Sequence, residues 1–154
     1  MKIIYGNIIE LAKEGNFDLI VHGCNCEKSM EAGLSLQIRN EFPEAYQADQ
    51  STERKPEDKL GTMSGVKVKA KDANGAKHKF YIMNGYTQLY ARGYGTLVDY
   101  DAIRSIFSTI ASHFPNARIA YPKIGAGKAR GDWDIIEDII GEELEGLDHT
   151  LVLY

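Results

Sequence analysis

The chain has 154 residues, 44% of them hydrophobic and 26% charged, the balance of an ordinary globular protein rather than a disordered or collagenous one. Its 18 Lys and Arg against 22 Asp and Glu leave a formal charge of -4, which argues against binding nucleic acid chiefly by neutralising phosphates. No apolar run approaches the ~18 residues of a membrane span. The opening residues Met1 to Gly6 lack the charged-then-apolar pattern of a secretory signal. The two cysteines, Cys24 and Cys26, are alternate residues that would form only a strained bridge. A cytoplasmic chain with free thiols and no membrane association is expected, organised as one domain over 1–154.

In chain order, residues 2–5 read as a short apolar strand, followed by Gly6-Asn7 and a brief helix near Ile8 to Lys13. Asp18 to His22 is a second strand, whose run Leu19-Ile20-Val21 suggests burial on both faces, interrupted at Gly23-Cys24-Asn25-Cys26. Leu34, Ile38 and Phe42 place a helix over Ala32 to Phe42 that Pro43 ends. Residues 47–60 are polar and read as an exposed connection. Val66, Val68 and Ala70 alternate with Lys67, Lys69 and Lys71 as a half-buried strand. The turn residues 72–75 and a returning strand over Lys79 to Met83 complete a hairpin. Gly85 to Gly95 reads as a tyrosine- and glycine-rich loop. Ile103, Ile106, Phe107, Ile110 and Phe114 set an amphipathic helix over Asp101 to Phe114. Ala117 to Tyr121 is a buried strand, Asp132 is placed to cap a helix carrying Trp133, Ile136, Ile140 and Leu144, and His149 to Tyr154 closes the chain as a strand. Strands interleaved with helices predict an α/β sandwich with a mixed sheet, parallel crossovers plus one antiparallel hairpin.

Two glycine-bearing loops each follow a buried strand and precede a helix: Gly23 to Gly33, and Ile124 to Gly131. Open α/β sheets bind ligands beyond the carboxyl ends of their strands, where such loops meet. Glycines let backbone N–H groups approach phosphate oxygens, and a following helix N-terminus adds a favourable dipole. Neither loop matches the P-loop or the dinucleotide fingerprint.

Asp18-Leu19-Ile20-Val21-His22-Gly23-Cys24-Asn25, then Met30-Glu31-Ala32-Gly33-Leu34-Ser35 with Phe42-Pro43, resembles the first ligand loop of a macrodomain. Tyr121-Pro122-Lys123-Ile124-Gly125-Ala126-Gly127, followed by Gly131-Asp132-Trp133, resembles the second, and the likeness runs in order over nearly the whole chain from Gly6-Asn7-Ile8. It is nearest to the branch of ADP-ribose-1''-phosphate phosphatase-like proteins and terminal ADP-ribose glycohydrolases. The resemblance implies a three-layer α/β/α sandwich on a mixed, largely parallel six-stranded sheet. It also implies a cleft for ADP-ribose or a derivative, needing no metal or cofactor. By position, Asn7 faces the adenine amine with Ile8 beside it. Ile124, Gly125, Ala126, Gly127 and Lys128 cradle the diphosphate, while Asn25, Ala32 and Gly33 surround the distal ribose. Tyr154 or another aromatic stacks on adenine.

Departures from the family pattern bear on chemistry. Glu31 stands where the first loop has a glycine, and either narrows the ribose end, repels a terminal phosphate, acts as a base or faces solvent. Gln88 stands where the glycohydrolases have a lysine that attacks the sugar, and glutamine forms no Schiff base. Ala129 occupies the place of an aspartate, with Asp132 three residues on. If the protein is catalytic, the resemblance implies removal of the terminal phosphate from ADP-ribose 1''-phosphate, by a water that Asn25, loop amides and His22 or Asp132 orient. The competing class is a non-catalytic module that reads free or protein-linked ADP-ribose. A hydrolase acting on modified side chains or nucleic acid is third.

His22 reads either as a general base or as a core histidine bonded to backbone, and Cys24 as a nucleophile or as packing. His78, His113 and His149 are scattered, so no metal cluster is expected. Lys128 is either a partner for diphosphate or a solvated lysine. Tyr86, Tyr90, Tyr94 and Tyr100, with Arg92, would suit base stacking, but the negative charge favours a place at a cleft edge or beneath the long loop.

Overall fold

A computed structural model describes residues 1–154. Its elements are β1 (Lys2–Tyr5), α1 (Ile8–Lys13), β2 (Leu19–Asn25), α2 (Gly33–Glu41), α3 (Pro43–Gln50), α4 (Pro56–Lys59), β3 (Met63–Lys71), β4 (Lys77–Gln88), α5 (Tyr100–His113), β5 (Ile119–Tyr121), α6 (Trp133–Glu143) and β6 (His149–Leu153). The six strands form one sheet in the order β1-β6-β5-β2-β4-β3. All neighbours run parallel except the β3–β4 hairpin, so the expected mixed, largely parallel sheet is present. No helix is long and apolar enough to cross a membrane.

The alternation of side chains along β2 divides the core. Ile20 and Cys24 join a cluster with Ile9, Phe17, Ile38, Phe42 and Phe80 beneath α1–α3. Leu19 and Val21 join Ile103, Ile106, Phe107, Tyr121, Ile136 and Ile140 beneath α5 and α6. Burial of such side chains on both faces explains why β2 opens on the apolar run Leu19-Ile20-Val21.

One expectation is extended and two are corrected. Pro43 does end α2, but it is also the first residue of α3, where its missing N–H costs nothing. The polar stretch 47–60 is not simply exposed: Asp49 and Lys59 are each only 1% accessible. The strands also run further than apolar pattern suggests. β2 continues through Gly23, Cys24 and Asn25, and β4 continues to Gln88, so the tyrosine-rich loop begins at Leu89. A register shift between Cys24 and Asn25 skips Thr87 on β4, and after the last pair, Asn25 with Gln88, the chain turns into the first loop.

Candidate ligand cleft

A cavity of about 550 Å³ opens at the carboxyl ends of β2, β4 and β5. Its walls are the two glycine loops, and its floor includes His22, Ile124 and Thr87.

The first loop is folded by its own side chains. Asn25 Oδ1 accepts from Glu27 N at 2.9 Å and Asn25 Nδ2 donates to Ser29 Oγ at 2.8 Å, so the residue assigned to the ribose also builds the turn. Arg39 and Gln50 donate to the carbonyls of Ser29 and Lys28 at 3.1 and 2.6 Å. These ties hold Lys28 and Met30 at φ 60° and 46°, a left-handed backbone that non-glycine residues adopt only when their surroundings impose it. Past the loop, α2 begins at Gly33 with no side chain capping it. The amides of Gly33, Leu34 and Ser35 have no partner within the protein and stand at the positive end of the helix dipole.

The second loop closes on itself. Gly131 N–H donates to Gly125 O at 2.8 Å and Arg130 N–H to Gly127 O at 3.0 Å. A Cβ at residue 131 would lie 2.5 Å from Gly125 O, so only glycine closes the ring. Gly125, at φ 78°, also meets Val98 too closely to carry a side chain. The amides of Gly125, Gly127, Lys128 and Ala129 have no partner within the protein.

The tyrosine-rich segment bridges the two loops. Cys26 N–H donates to Leu89 O at 3.0 Å, and Arg130 donates to the carbonyls of Gly93 and Gly95. Of its aromatic residues, Tyr90 and Tyr94 are exposed, Tyr86 is buried and the Tyr100 hydroxyl meets Asp132 N–H at the cap of α6, 2.9 Å away. An amide N–H only donates, so the Tyr100 hydroxyl oxygen accepts.

The cleft therefore brings together His22, Asn25, Ala32, Gly33, Ile124, Gly125, Gly127 and Lys128. Ala126 is half-buried in the second loop but does not line the cavity. Asn7 is the N-cap of α1: its Oδ1 accepts from Ile9 N and Glu10 N at 3.0 and 3.2 Å, which occupies the oxygen assigned to an adenine amine. Ile8 is 6% exposed and packs in the core. Asp132 caps α6 by accepting from Asp134 N at 2.9 Å and lies outside the lining. Tyr154 is fully exposed, also outside it. Ser29, Ser35, Thr87, Ala91 and Arg92 line the cleft without having been singled out for it. Ser35 was detectable as the polar residue following Ala32-Gly33-Leu34, whereas nothing in the pattern marked Thr87.

The titratable groups of the floor are poor acid–base catalysts. His22 is 2% exposed, with Nε2 2.7 Å from Asn84 Oδ1 and Nδ1 3.1 Å from Ser35 Oγ. It is thus bonded to side chains and not to backbone. Burial pushes its pKa down to about 4. Burial also pushes the Cys24 thiol up, away from the thiolate a nucleophile needs. Gln88 turns its amide to Tyr90 O at 2.8 Å. The charged side chains lining the cleft are Glu31, Arg92 and Lys128, an excess of one positive charge in a chain of net charge -4.

No family model matches the chain. It is 33% identical over 157 residues to an uncharacterized 17.5 kDa protein encoded in the tk-vs intergenic region of Enterobacteria phage T4, covering 99% of this chain and 95% of that one. It is 27% identical over 138 residues to the DNA ADP-ribosyl glycohydrolase of Mycobacterium tuberculosis, covering 89% of this chain but only 38% of that protein. Among solved structures it superposes on the macrodomain of Thermus aquaticus DarG with a TM-score of 0.71 at 21% identity, covering 99% and 97% of the two chains. Thermosipho africanus DarTG in complex with ADP-ribose gives 0.73 at 15% identity, covering all of this chain and 42% of that one.

Proposed function

The chain belongs to the family of the phage T4 17.5 kDa protein and has the macrodomain fold, and from that premise we propose that it binds ADP-ribose or a close derivative and reads it without cleaving it. One observation carries this reading: two sets of unpartnered backbone amides, those of Gly33 to Ser35 and those of Gly125, Gly127, Lys128 and Ala129, converge on one cleft. Backbone N–H groups and a helix N-terminus are suited to a diphosphate. They bind it without surface lysines, which is compatible with the chain's acidity. Thermosipho africanus DarTG, 42% of which this chain covers, is solved in complex with ADP-ribose, which supports the ligand class.

The side chains support a reading without cleavage. Glycosidic attack of the glycohydrolase kind needs an amine where Gln88 stands. Asp132, the acid nearest in sequence to the second loop, is engaged in capping α6. Protein-linked ADP-ribose is the macromolecular form such a module would read. Calorimetry with ADP-ribose should show saturable binding, and no heat at millimolar ligand would refute the cleft assignment.

A second reading is hydrolysis of the terminal phosphate of ADP-ribose 1''-phosphate, favoured by His22 and Asn25 both lining the cleft. In that reaction water attacks phosphorus, the bond to the sugar oxygen breaks, and the sugar oxygen takes a proton. Phosphate release that is abolished by His22→Ala and Asn25→Ala would establish it; release unchanged by both would remove these roles.

A further inference from the structure

Beneath the cleft floor a chain of polar side chains runs into the core, and its donors and acceptors can be ordered by elimination. A backbone carbonyl only accepts, so the Asn84 atom 3.0 Å from Ala45 O is Nδ2, which also donates to Ser64 Oγ at 3.1 Å. Asn84 Oδ1 therefore faces His22 Nε2 at 2.7 Å. An amide oxygen only accepts, so Nε2 carries the proton. Burial keeps the ring neutral, with its pKa pushed down to about 4, and Nδ1 is left with a lone pair. Ser35 Oγ, 3.1 Å from Nδ1, donates to it; Cys24 Sγ stands farther off at 3.7 Å and a thiol is the weaker donor.

The buried end has the same polarity. Asp49 Oδ1 accepts the Tyr86 hydroxyl proton at 2.7 Å, so the Tyr86 oxygen accepts from Ser64, also at 2.7 Å. Every bond from Ser35 through His22, Asn84, Ser64 and Tyr86 points toward the Asp49 carboxylate. The Lys59 ammonium lies 4.0 Å from that carboxylate and 4.3 Å over the Tyr86 ring.

The functional consequence is at the open end. Ser35 is half-buried and lines the cleft with Asn25 and Gly33. Its single proton is held inside the protein between two acceptors, His22 Nδ1 and the Gly23 carbonyl 3.2 Å away, so the hydroxyl offers the cleft only lone pairs. Aligned hydrogen bonds polarise one another, which makes the last oxygen a better acceptor. We propose that Ser35 is a specificity-determining residue: an acceptor for a sugar hydroxyl, which selects ligands ending in a free ribose over those ending in phosphate. This rests on the ADP-ribose reading of the cleft.

Two measurements test it. Nitrogen-15 NMR of the His22 ring should show the Nε2–H tautomer at neutral pH, and an Nδ1–H tautomer would overturn the ordering. Calorimetry should compare ADP-ribose with ADP, which lacks the terminal ribose. Ser35→Ala should weaken ADP-ribose about five- to tenfold and leave ADP unchanged, which also reports that the variant is folded. An equal loss for both ligands, or none for ADP-ribose, would overturn the role of Ser35 while leaving the cleft reading intact. If neither ligand binds the wild-type protein, the cleft reading fails and the assignment of Ser35 falls with it.

Discussion

The Glu27 carboxylate accepts from the Ala91 amide at 2.6 Å, across a sequence separation of 64 residues. Arg130 makes the matching connection from the second loop, at 2.9 and 2.6 Å to Gly93 O and Gly95 O. The segment between Leu89 and Leu97 is thus fastened at both sides of the cleft mouth. Glu27→Ala releases one side only. Hydrogen exchange of residues 89–97 should quicken, and ADP-ribose affinity should fall about two- to fivefold. The unfolding midpoint should hardly move, because a substitution at an exposed site typically costs within ~0.5 kcal/mol. Exchange rates unchanged in the variant would show that the segment does not depend on this bond.

The Asp49–Lys59 pair is buried and imperfectly satisfied: Asp49 Oδ2 and Lys59 Nζ lack hydrogen-bond partners. Removing one member leaves the other charge buried, which typically costs about 3–5 kcal/mol. Lys59→Met should therefore lower unfolding free energy by that order in a denaturant titration. The double variant Lys59→Met/Asp49→Asn should recover much of the loss, since no lone charge remains. A double variant no more stable than the single one would mean that the pair is held for packing and not for charge balance.

His22 gives the fold a definite acid response. In the unfolded chain its imidazole takes a proton near the ordinary value of 6.5, whereas in the fold it does so only near 4. Between those values the unfolded state binds the extra proton. Stability should therefore fall as pH drops from about 6.5 and level off below about 4, by about 3 kcal/mol from this residue. Unfolding free energies measured from pH 7 to pH 4 should show a shallower decline for His22→Gln than for the wild type, whatever its absolute stability. Parallel curves would place the acid sensitivity elsewhere.

Glu31 is exposed and is the one carboxylate lining the cleft. Against an anionic ligand its charge is unfavourable, though screened by water and salt. Glu31→Lys should tighten ADP-ribose binding about two- to tenfold at low ionic strength, with the gain shrinking as salt is added. An affinity that does not change at any salt concentration would mean that the side chain points away from the ligand.

Elements held by apolar packing were readable from pattern, because Leu19 to Val21 and the Ile103–Ile110 stripe bury hydrophobic area in a period that the sequence displays. The missed structure is held by polar groups. Asp49 and Lys59 are buried through one another and Tyr86, which looks in sequence like a solvated stretch. Asn84 and Thr87 are buried at the end of β4, so that strand appeared to stop early. In the cleft, the glycine loops were legible because close backbone approach needs glycine. Asn7 was not, since a capping asparagine and a ligand-binding one are the same residue at the same place. Ser35 acquires its meaning from partners as far away as Asn84, a relation that spacing along the chain does not carry.

The closed ring from Gly125 to Gly131 divides its own positions into two kinds. Residues 125 and 131 have no room for a side chain, whereas Lys128 and Arg130 stand outward in solvent. Natural variation and laboratory evolution can thus retune the ligand preference of this loop only at its outward positions. A saturation library across the ring should recover diverse residues at 128, few at 130 where Arg130 holds its neighbour, and glycine alone at 131.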